Sequence, residues 1–252
     1  MSFLKSYAIW VVLIDLIMHF NCNKSMLDLV KELKAKGFIK SKRVEEAFLA
    51  IDRKDFLTPS TKNLAYIDAA QSIGYNATIS APHMHAYALE TLKPALKPGS
   101  RCLDIGSGSG ILVALFHKMV GLEGRVVGVE HIAELAKQSI KNLHKNFKEE
   151  YDKGWLKIIE GDGRLGYKQD APYDCIHIGA AVKEINQTWI DQLKEHGMLM
   201  APVDNGLGYQ EITIVTKELD GKITTKKLLD VRYIPLTSKQ KQWPGVEDDN
   251  EL

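Results

Sequence analysis

The sequence has little of several features that define whole classes of protein. Its 3 cysteines are odd in number and widely spaced in 252 residues, which argues against a disulfide scaffold or a structural zinc site. The 33 Lys and Arg balance 32 Asp and Glu, so the broad basic surface of a general nucleic-acid-binding protein is missing. The apolar run at residues 7–14 is far shorter than the roughly 20 residues that span a bilayer. With 45% hydrophobic and 26% charged residues, the composition is that of an ordinary globular protein.

The two ends of the chain have compositions of their own. Residues 1–24 form an apolar extension with a lysine before its apolar run and an aspartate after it. That order has the shape of a secretory signal, but no A-x-A-like cleavage site follows, so we expect an uncleaved amphipathic extension. A cleaved signal or anchor leading to the secretory pathway or the ER is the alternative. We expect residues 244–252 to be a solvated acidic tail. Cys102 and Cys175 lie in short apolar runs, which favours reduced thiols and a cytoplasmic location.

Between the ends, hydrophobic periodicity predicts a single domain over residues 25–243. Its first part, residues 25–80, has two short helices and then a long irregular segment over residues 55–79. The second part, residues 81–243, begins with a helix over residues 81–96 and continues as apolar strands that alternate with amphipathic helices. Such alternation is typical of a parallel sheet covered on both faces.

The last third of the domain departs from this alternation. Residues 189–197 are predicted to be a helix that ends at Gly197 and is followed by a strand. Two long strands then flank Asp220-Gly221, which is a strong hairpin signal. We therefore predict an α/β fold: a doubly wound, mostly parallel, Rossmann-like sheet that ends in an antiparallel strand pair, with added N-terminal helices.

The first strand of the alternating region runs into a glycine turn, DIGSGSG (residues 104–110). Gly106, Gly108 and Gly110 let the backbone turn tightly and approach a ligand, and the helix that follows presents free N–H groups. The dinucleotide fingerprint requires G-x-G-x-x-G, whereas this turn is G-x-G-x-G and follows an acid. Asp104 would repel a pyrophosphate and attract a sulfonium or ammonium group, so the turn favours S-adenosylmethionine over NAD.

Two further strand ends supply candidate contacts to a nucleoside. Glu130 ends the next strand, 20 residues after Gly110, where a carboxylate can accept hydrogen bonds from both ribose hydroxyls. Asp162 can accept from an adenine amine, and Gly163 would leave room for the ring. The GDG sequence by itself is only a turn signal.

Five segments make the sequence similar to the protein-L-isoaspartate (D-aspartate) O-methyltransferase family over residues 25–243. They are TISAPHMHAYALE (78–90), LDIGSGSGIL (103–112), GDGRLGY (161–167), APYDCIHIGAA (171–181) and YIPLTSKQKQW (233–243). The first and last contain motifs specific to that family, whereas DIGSGSG alone indicates only the wider class of S-adenosylmethionine-dependent methyltransferases. The apolar extension and the acidic tail depart from the family pattern, which bears on location and not on chemistry.

The resemblance implies S-adenosyl-L-methionine as cofactor, S-adenosyl-L-homocysteine as its product and an L-isoaspartyl peptide as substrate. The free α-carboxylate of the isoaspartyl residue is methylated, and the ester collapses to a succinimide that reopens in part to normal aspartate, which initiates repair. Ser80 is the active-site residue that the resemblance implies. The implied cofactor-binding residues are Ala77, Thr78, Ile79, Ser80, His85, Asp104, Gly106, Gly108, Glu130, Asp162, Gly163, Thr237 and Gln242.

The chemistry implied for Ser80 needs no strong base. A carboxylate is already ionised at neutral pH and a sulfonium is an activated donor, so catalysis should be mostly alignment with water excluded. We interpret Ser80 as a donor that orients the carboxylate and also as the N-cap of the helix that starts at Ala81. Substrate contacts are predicted from Ser80, His85, Ile234, Pro235 and Leu236. The last three lie in a proline-containing segment that can pair with an extended peptide.

Other functions stay open from the sequence. An NAD(P)-dependent oxidoreductase is disfavoured by the glycine spacing, by Asp104 and by the antiparallel end of the sheet. A protein that keeps the cofactor without turnover is disfavoured by the intact Ser80, and methylation of a small molecule or nucleic acid is the remaining option. His83 and His85 point in different directions on a helix start, so no metal site is predicted. We expect isoaspartyl-containing proteins and peptides as partners, no nucleic acid, no stable membrane span and a monomer.

Overall fold

The computed structural model describes residues 25–244, which begin with a helical layer. Its elements are α1 (Met26–Ala35), α2 (Lys42–Leu49), 3-10 turns at Arg53–Phe56 and Lys62–Leu64, the hairpin strands β1 (Gln71–Gly74) and β2 (Ala77–Ile79), and α3 (Pro82–Leu92). Ser25 starts α1 with a capping box: its Oγ accepts from the backbone N–H of Asp28 at 3.2 Å, and the Asp28 carboxylate accepts from the N–H of Ser25 at 3.0 Å. The predicted extension over residues 1–24 and the tail from residue 245 lie outside the described residues.

A seven-stranded sheet forms the centre of the protein. Its elements, in chain order, are β3 (Arg101–Ile105), α4 (Ile111–Val120), β4 (Arg125–Glu130), α5 (Ala133–Asp152), β5 (Leu156–Glu160), 3-10 turns at Gly163–Leu165 and Lys168–Asp170, β6 (Tyr173–Ile178), α6 (Gln187–Asp191), β7 (Leu193–Asp204), β8 (Gln210–Lys217), β9 (Ile223–Val231) and α7 (Lys239–Gln242). The strand order is β5-β4-β3-β6-β7-β8-β9. The first five pair in parallel, and β8 and β9 pair antiparallel to their neighbours. The predicted doubly wound sheet with an antiparallel end is confirmed.

The central strands are buried because helices cover both faces of the sheet. Side chains of β3 alternate between two apolar clusters: Cys102 packs on the side of α1 to α5, and Leu103 packs on the side of Trp189 in α6. Every residue of α4 except Lys118 is buried, as its apolar sequence predicts. Parallel strands bring their carboxyl ends to one edge, so the loops after β3, β4, β5 and β6 meet there. No helix within residues 25–244 is long and apolar enough to cross a membrane.

The predicted helix over residues 189–197 is wrong. Only its first three residues belong to α6, and Leu193 already pairs with Tyr173 as the start of β7. The Nζ of Lys217 donates to the carbonyl oxygens of Ile190 at 3.2 Å and of Leu193 at 2.9 Å. These carbonyls therefore need no helical partner, and sheet pairing overrides the helical pattern of the sequence.

The segment predicted to be irregular, residues 55–79, contains the hairpin of β1 and β2. Tyr75 and Asn76 in its turn both have left-handed backbone, with φ of 52° and 54°. That conformation suits a tight hairpin, but the pair lacks the Asn-Gly or Asp-Gly signal by which such turns are recognised. The predicted helix over residues 81–96 is also shorter, because α3 ends at Leu92.

Candidate active site

A cavity of about 570 Å³ opens at the carboxyl ends of β3, β4 and β6. This is the edge where α/β sheets bind ligands, and the volume lies within the range of small-molecule sites. The lining residues are Phe38, Ala70, Ala77, Thr78, Ser80, Ala81, His83, Met84, Tyr87, Gly106, Gly108, Val129, Glu130, His131, Gly163, Gly179, Ala180, Leu229, Asp230, Val231, Arg232, Tyr233, Ile234, Pro235, Leu236 and Gln242. Segments far apart in the chain thus contribute to one cavity.

The glycine turn forms one wall of this cavity. Gly106 and Gly108 line it, and they and Gly110 have φ of 74°, 50° and 83°, which favours glycine. At Gly110, the N-cap of α4, a Cβ would overlap the Oγ of Ser139. Both the backbone conformation and the packing therefore exclude a side chain at that position.

Glu130 is held at the cavity by backbone amides. It is only 5% exposed, and its Oε2 and Oε1 accept from the N–H groups of Gly108 and Ile132, each at 3.0 Å. Burial raises the pKa of Glu130 above its ordinary value, and the backbone hydrogen bonds partly offset the rise. A carboxylate has about four acceptor positions, more than these two bonds use. Glu130 can therefore also accept from a pair of ribose hydroxyls.

After β5, Gly163 lines the cavity and Asp162 lies in an adjoining polar groove. A Cβ at Gly163 would overlap the Cγ2 of Ile105, so this wall admits no side chain. The Asp162 carboxylate pairs with Arg164, with Nη2 at 2.6 Å from Oδ2, and this hydrogen bond lowers the pKa of Asp162. His131 lines both the cavity and the groove and so connects them.

Ser80 lines the cavity where β2 leads into α3, but it does not cap that helix. The N-cap is Ala81, and no side-chain hydrogen bond caps α3. The predicted capping role is therefore wrong: the first helical position is Pro82, and Ser80 lies one residue before the cap. The side chains of Ser80 and Tyr233 interact in the cavity, and burial raises the pKa of Tyr233 to about 12. Two neutral hydroxyl groups thus lie side by side in the cavity.

The segment after β9 forms the opposite wall. The N–H of Ala181 donates to the carbonyl of Ile234 at 2.8 Å, and the N–H of Leu236 donates to the carbonyl of Ala181 at 2.7 Å. One edge of this extended segment is therefore already paired. Alternation along an extended chain places the carbonyl of Pro235 on the other edge. Ile234, Pro235 and Leu236 all line the cavity.

Besides Asp162 and His85, three of the predicted cofactor residues do not line the cavity. Ile79 is 3% exposed and belongs to the core, while Ala77, Thr78 and Ser80 around it do line the cavity. Asp104 is 2% exposed, and its Oδ1 is hydrogen-bonded to the Nδ1 of His177 at 2.8 Å. It lies beneath the glycine turn, so any action on a ligand is electrostatic and not a contact. Thr237 is half-buried and lies beside the lining residue Leu236.

The two histidines of α3 line different cavities. His85 is buried beside Arg53 in a small separate cavity, and burial lowers its pKa well below the ordinary value. His83 lines the main cavity, and its Nδ1 is hydrogen-bonded to Oδ1 of Asp68 at 2.8 Å. Two residues of a helix rotate by about 200°, so the histidines point apart as expected. His85 therefore does not line the main cavity, whereas His83 does, and the contact of His85 with cofactor or substrate stays a prediction. Within residues 25–244, no group of three or more potential ligands is placed to hold a metal ion.

Gln242 joins three segments at the mouth of the cavity. Its Oε1 is hydrogen-bonded to Nε2 of His131 at 2.9 Å, and its Nε2 donates to the carbonyl of Tyr75 at 3.2 Å. The ring of Trp243 packs edge-on against Tyr75 at 5.3 Å. The C-terminal helix α7 thereby lies against the β1-β2 turn and the end of β4.

Sequence reasoning missed several lining residues. Tyr233 begins the family-specific segment and could have been found from it. Met84 and Tyr87 lie in the other family-specific segment and could have been found in the same way. Phe38 carries no such signal, because an apolar residue that lines a cavity has the same local pattern as a core residue. These residues make the part of the cavity near Ser80 largely apolar.

The residues present fit the cofactor of a methyltransferase. Gly163 lines the cavity without a side chain, Glu130 has acceptor positions for ribose, and the volume suits a nucleoside joined to an amino acid. The sheet order, with its antiparallel end, and the acid-led glycine turn place the chain in the class of S-adenosylmethionine-dependent methyltransferases.

Comparison with known proteins narrows this class to one family. The profile of Protein-L-isoaspartate(D-aspartate) O-methyltransferase (PCMT) matches residues 24–241. The chain is 48% identical over 226 residues to protein-L-isoaspartate O-methyltransferase 1 of Arabidopsis thaliana, which covers 89% of this chain and 95% of that relative. It is 44% identical over 216 residues to the protein-L-isoaspartate O-methyltransferase of Caenorhabditis elegans, covering 86% and 94%. The chain belongs to the protein-L-isoaspartate (D-aspartate) O-methyltransferase family.

A solved structure agrees with this assignment. The crystal structure of a beta-aspartate methyltransferase (PCMT) from Plasmodium falciparum in complex with S-adenosyl-L-homocysteine superposes with a TM-score of 0.79. It is 30% identical in sequence, and the match covers 85% of this chain and 99% of that one. The fold described above is therefore that of the family.

Proposed function

We propose that the protein transfers a methyl group from S-adenosyl-L-methionine to the free α-carboxylate of L-isoaspartyl residues in damaged proteins and peptides, which initiates their repair through a succinimide. The observation that carries the proposal is one continuous cavity with two kinds of wall. Glu130 and Gly163 suit a nucleoside, and Ser80, Tyr233 and the extended segment 234–236 suit a peptide carboxylate. Membership of the family supports the same reaction.

The cofactor would be held by residues on the sheet side of the cavity. Glu130 accepts from the ribose, Gly163 lies under the adenine, and Gln242 with His131 covers the mouth. When bound, S-adenosyl-L-methionine supplies a methyl group activated by a sulfonium. The contacts of Gln242 hold α7 at the mouth of the cavity, where it would exclude bulk water from the bound reactants.

Ser80 and Tyr233 orient the carboxylate. It is ionised at neutral pH, so no residue has to remove a proton. Both hydroxyl groups keep their protons, since burial raises the pKa of Tyr233 to about 12, and both can donate to a carboxylate oxygen. A carboxylate held through one oxygen presents the other in a fixed direction, and such alignment is where most of the rate enhancement should come from.

Main-chain pairing explains acceptance of many damaged sequences. On the edge of segment 234–236 that faces away from Ala181, the carbonyl of Pro235 can accept from an extended peptide. Such pairing is nearly indifferent to side chains, so selectivity has to come from the geometry at Ser80. An isoaspartyl residue carries its free carboxylate one methylene closer to the backbone than a normal aspartyl residue, and a fixed pocket rejects the misplaced group.

The test uses pairs of peptides that differ only in isoaspartyl or aspartyl linkage, with several unrelated flanking sequences. The product to measure is S-adenosyl-L-homocysteine, because the methyl ester is short-lived. We expect turnover of every isoaspartyl peptide and none detectable for its aspartyl twin, and Ser80→Ala serves as the low-activity control. Comparable rates for the two members of a pair would overturn the proposed substrate.

We also propose that the protein acts in the cytoplasm as a monomer. In support, Cys102 and Cys175 are free although they are register partners on neighbouring strands, which suits a reducing compartment. Mass spectrometry of the mature N-terminus and light scattering of the purified protein test these two points, and a shortened N-terminus or a stable dimer would contradict them.

A further inference from the structure

Arg53 is a buried cation that the proposed reaction has not yet used. It lies in the 3-10 turn after α2, is 1% exposed, and donates through Nη2 to the carbonyl of Ser80 at 2.9 Å and to that of Ala69 at 3.4 Å. Its Nε and Nη1 are buried without a hydrogen-bond partner. Buried polar groups are nearly always paired, so an arginine with two unpartnered nitrogens calls for a reason.

The charge of Arg53 also lacks a close counter-ion. Among the described residues, no carboxylate oxygen lies within 4.0 Å of its guanidinium. The titratable groups around it are Asp68 and His85, and Asp68 already binds His83. Burial lowers the pKa of Arg53 to about 10, so the group stays charged at neutral pH. A buried charge without a counter-ion destabilises the protein, and a bound anion would offset that cost.

The position of Arg53 shows where that anion would bind. Ser80 lines the main cavity, and its carbonyl accepts from Arg53 on the side away from the cavity. Ala69, the second acceptor, precedes Ala70, which also lines the cavity. Arg53 itself lies outside the cavity lining. Its charge therefore lies 2.9 Å from the backbone of a residue that lines the cavity, and the protein interior screens the charge weakly.

We propose that Arg53 is a positioning residue for the isoaspartyl carboxylate: it ties Ser80 to the turn at Ala69, and its buried charge attracts the substrate anion into the cavity. This inference rests on the proposed function. In methyl transfer a carboxylate oxygen gives an electron pair to the methyl carbon, and the carbon–sulfur bond breaks with its pair remaining on sulfur. The anion becomes a neutral ester and the sulfonium a neutral thioether. A fixed cation therefore stabilises the bound carboxylate more than the partly neutralised transition state, so its loss should raise KM while kcat changes little or rises.

The same charge has a second consequence that does not depend on turnover. A cation near the cavity disfavours a bound sulfonium relative to the neutral thioether. Removing the charge should therefore strengthen the binding of S-adenosyl-L-methionine relative to that of S-adenosyl-L-homocysteine. Loss of a residue that only stabilised the fold would instead weaken the binding of both ligands by the same factor.

The experiment compares Arg53→Met with Arg43→Met as its control. Arg43 also donates to backbone carbonyls, those of Leu96 and Met119, but away from the cavity. In folded Arg53→Met we expect KM for an isoaspartyl peptide to rise about tenfold or more while kcat changes less than about threefold. Calorimetry should show the ratio of the S-adenosyl-L-methionine Kd to the S-adenosyl-L-homocysteine Kd falling about threefold or more. Arg43→Met should change neither the ratio of the two Kd values nor KM. An unchanged KM, or an equal loss of affinity for both ligands, would overturn the inference.

Arg53→Lys keeps the proposal testable if Arg53→Met does not fold. A buried ammonium has a steeply lowered pKa, so its charge would be lost as pH rises through the assay range, whereas a guanidinium keeps its charge. We expect KM of Arg53→Lys to increase from pH 7 to pH 9 relative to the wild type, and a parallel profile would overturn the inference. Wild-type protein without turnover on isoaspartyl peptides would refute the proposed function instead, while the ratio of ligand Kd values would still report on Arg53.

Discussion

Glu130 offers the sharpest test of the cofactor site. Glu130→Ala removes an acceptor that, with ribose bound, takes two charge-assisted hydrogen bonds of about 1.5–3 kcal/mol each. Part of that gain is offset in the wild type, because burial raises the pKa of Glu130 and so makes the ionised form costly. We therefore expect a net loss of about 1.4–4 kcal/mol, which is a tenfold to thousandfold increase in the Kd of S-adenosyl-L-homocysteine.

The same substitution also affects stability, and the structure gives the reason. It leaves the N–H groups of Gly108 and Ile132 without their acceptor, at about 1–3 kcal/mol for each group that water does not reach. Thermal melts should show a Tm lowered by about 2–4 °C for each kcal/mol lost. Glu130→Gln should not restore affinity, since its amide N–H₂ would face one of these two backbone donors.

Isothermal titration calorimetry with S-adenosyl-L-homocysteine measures the loss directly. Asp204→Ala is the matched control, because Asp204 is also a strand-end carboxylate that accepts from a backbone N–H, that of Gly206 at 2.8 Å, but outside the cavity. A folded Glu130→Ala protein with unchanged Kd would refute the ribose assignment. A comparable loss in Asp204→Ala would show that the effect is not specific to the site.

Three other changes test the rest of the cavity. Ser80→Ala should lower kcat more than cofactor affinity and leave Tm almost unchanged, because Ser80 does not cap α3. Steady-state kinetics and thermal melts check this, and a loss of stability large enough to account for the loss of activity would contradict it. Lowering the pH through the raised pKa of Glu130 should weaken S-adenosyl-L-homocysteine binding, because the protonated acid is a poorer hydrogen-bond acceptor, whereas the same protonation should stabilise the apo protein. Calorimetry at several pH values should show the affinity falling as the pH is lowered, and an affinity that does not change with pH would refute this. Gly163→Ala would force its Cβ against Ile105 and should cost about 1–3 kcal/mol of unfolding free energy along with cofactor affinity, measured by denaturant titration and calorimetry, whereas wild-type values for both would show that this wall is not closed.

The fold could be predicted because its signals are local. Each strand of the parallel region is a short apolar run, and a long helix such as α5 shows a helical period over its twenty residues. The errors occurred where a distant segment decides the local structure. Residues 193–197 became strand because Tyr173 and Lys217 supply partners for them, and neither is adjacent in sequence.

The candidate site could be predicted only in part, for the same reason. Gly106 and Glu130 stand at strand ends, and a strand end can be located from sequence. The choice between His83 and His85 depends on which face of α3 packs against the core, and no motif states that. Arg53 reaches Ser80 across 27 positions of the chain through a single nitrogen, which leaves no trace in a local pattern.

Two buried charges lie behind the walls of the cavity, and they are of opposite sign. The Asp104 carboxylate is beneath the glycine turn, paired with His177, and the Arg53 cation is behind Ser80. The proposed reaction transfers a methyl group from a cation to an anion and leaves two neutral products. A fixed negative charge on the cofactor side and a fixed positive charge on the peptide side favour the charged reactants over those products, so both products bind more weakly once the methyl group has moved. The arrangement that draws the two reactants in thereby also favours their release.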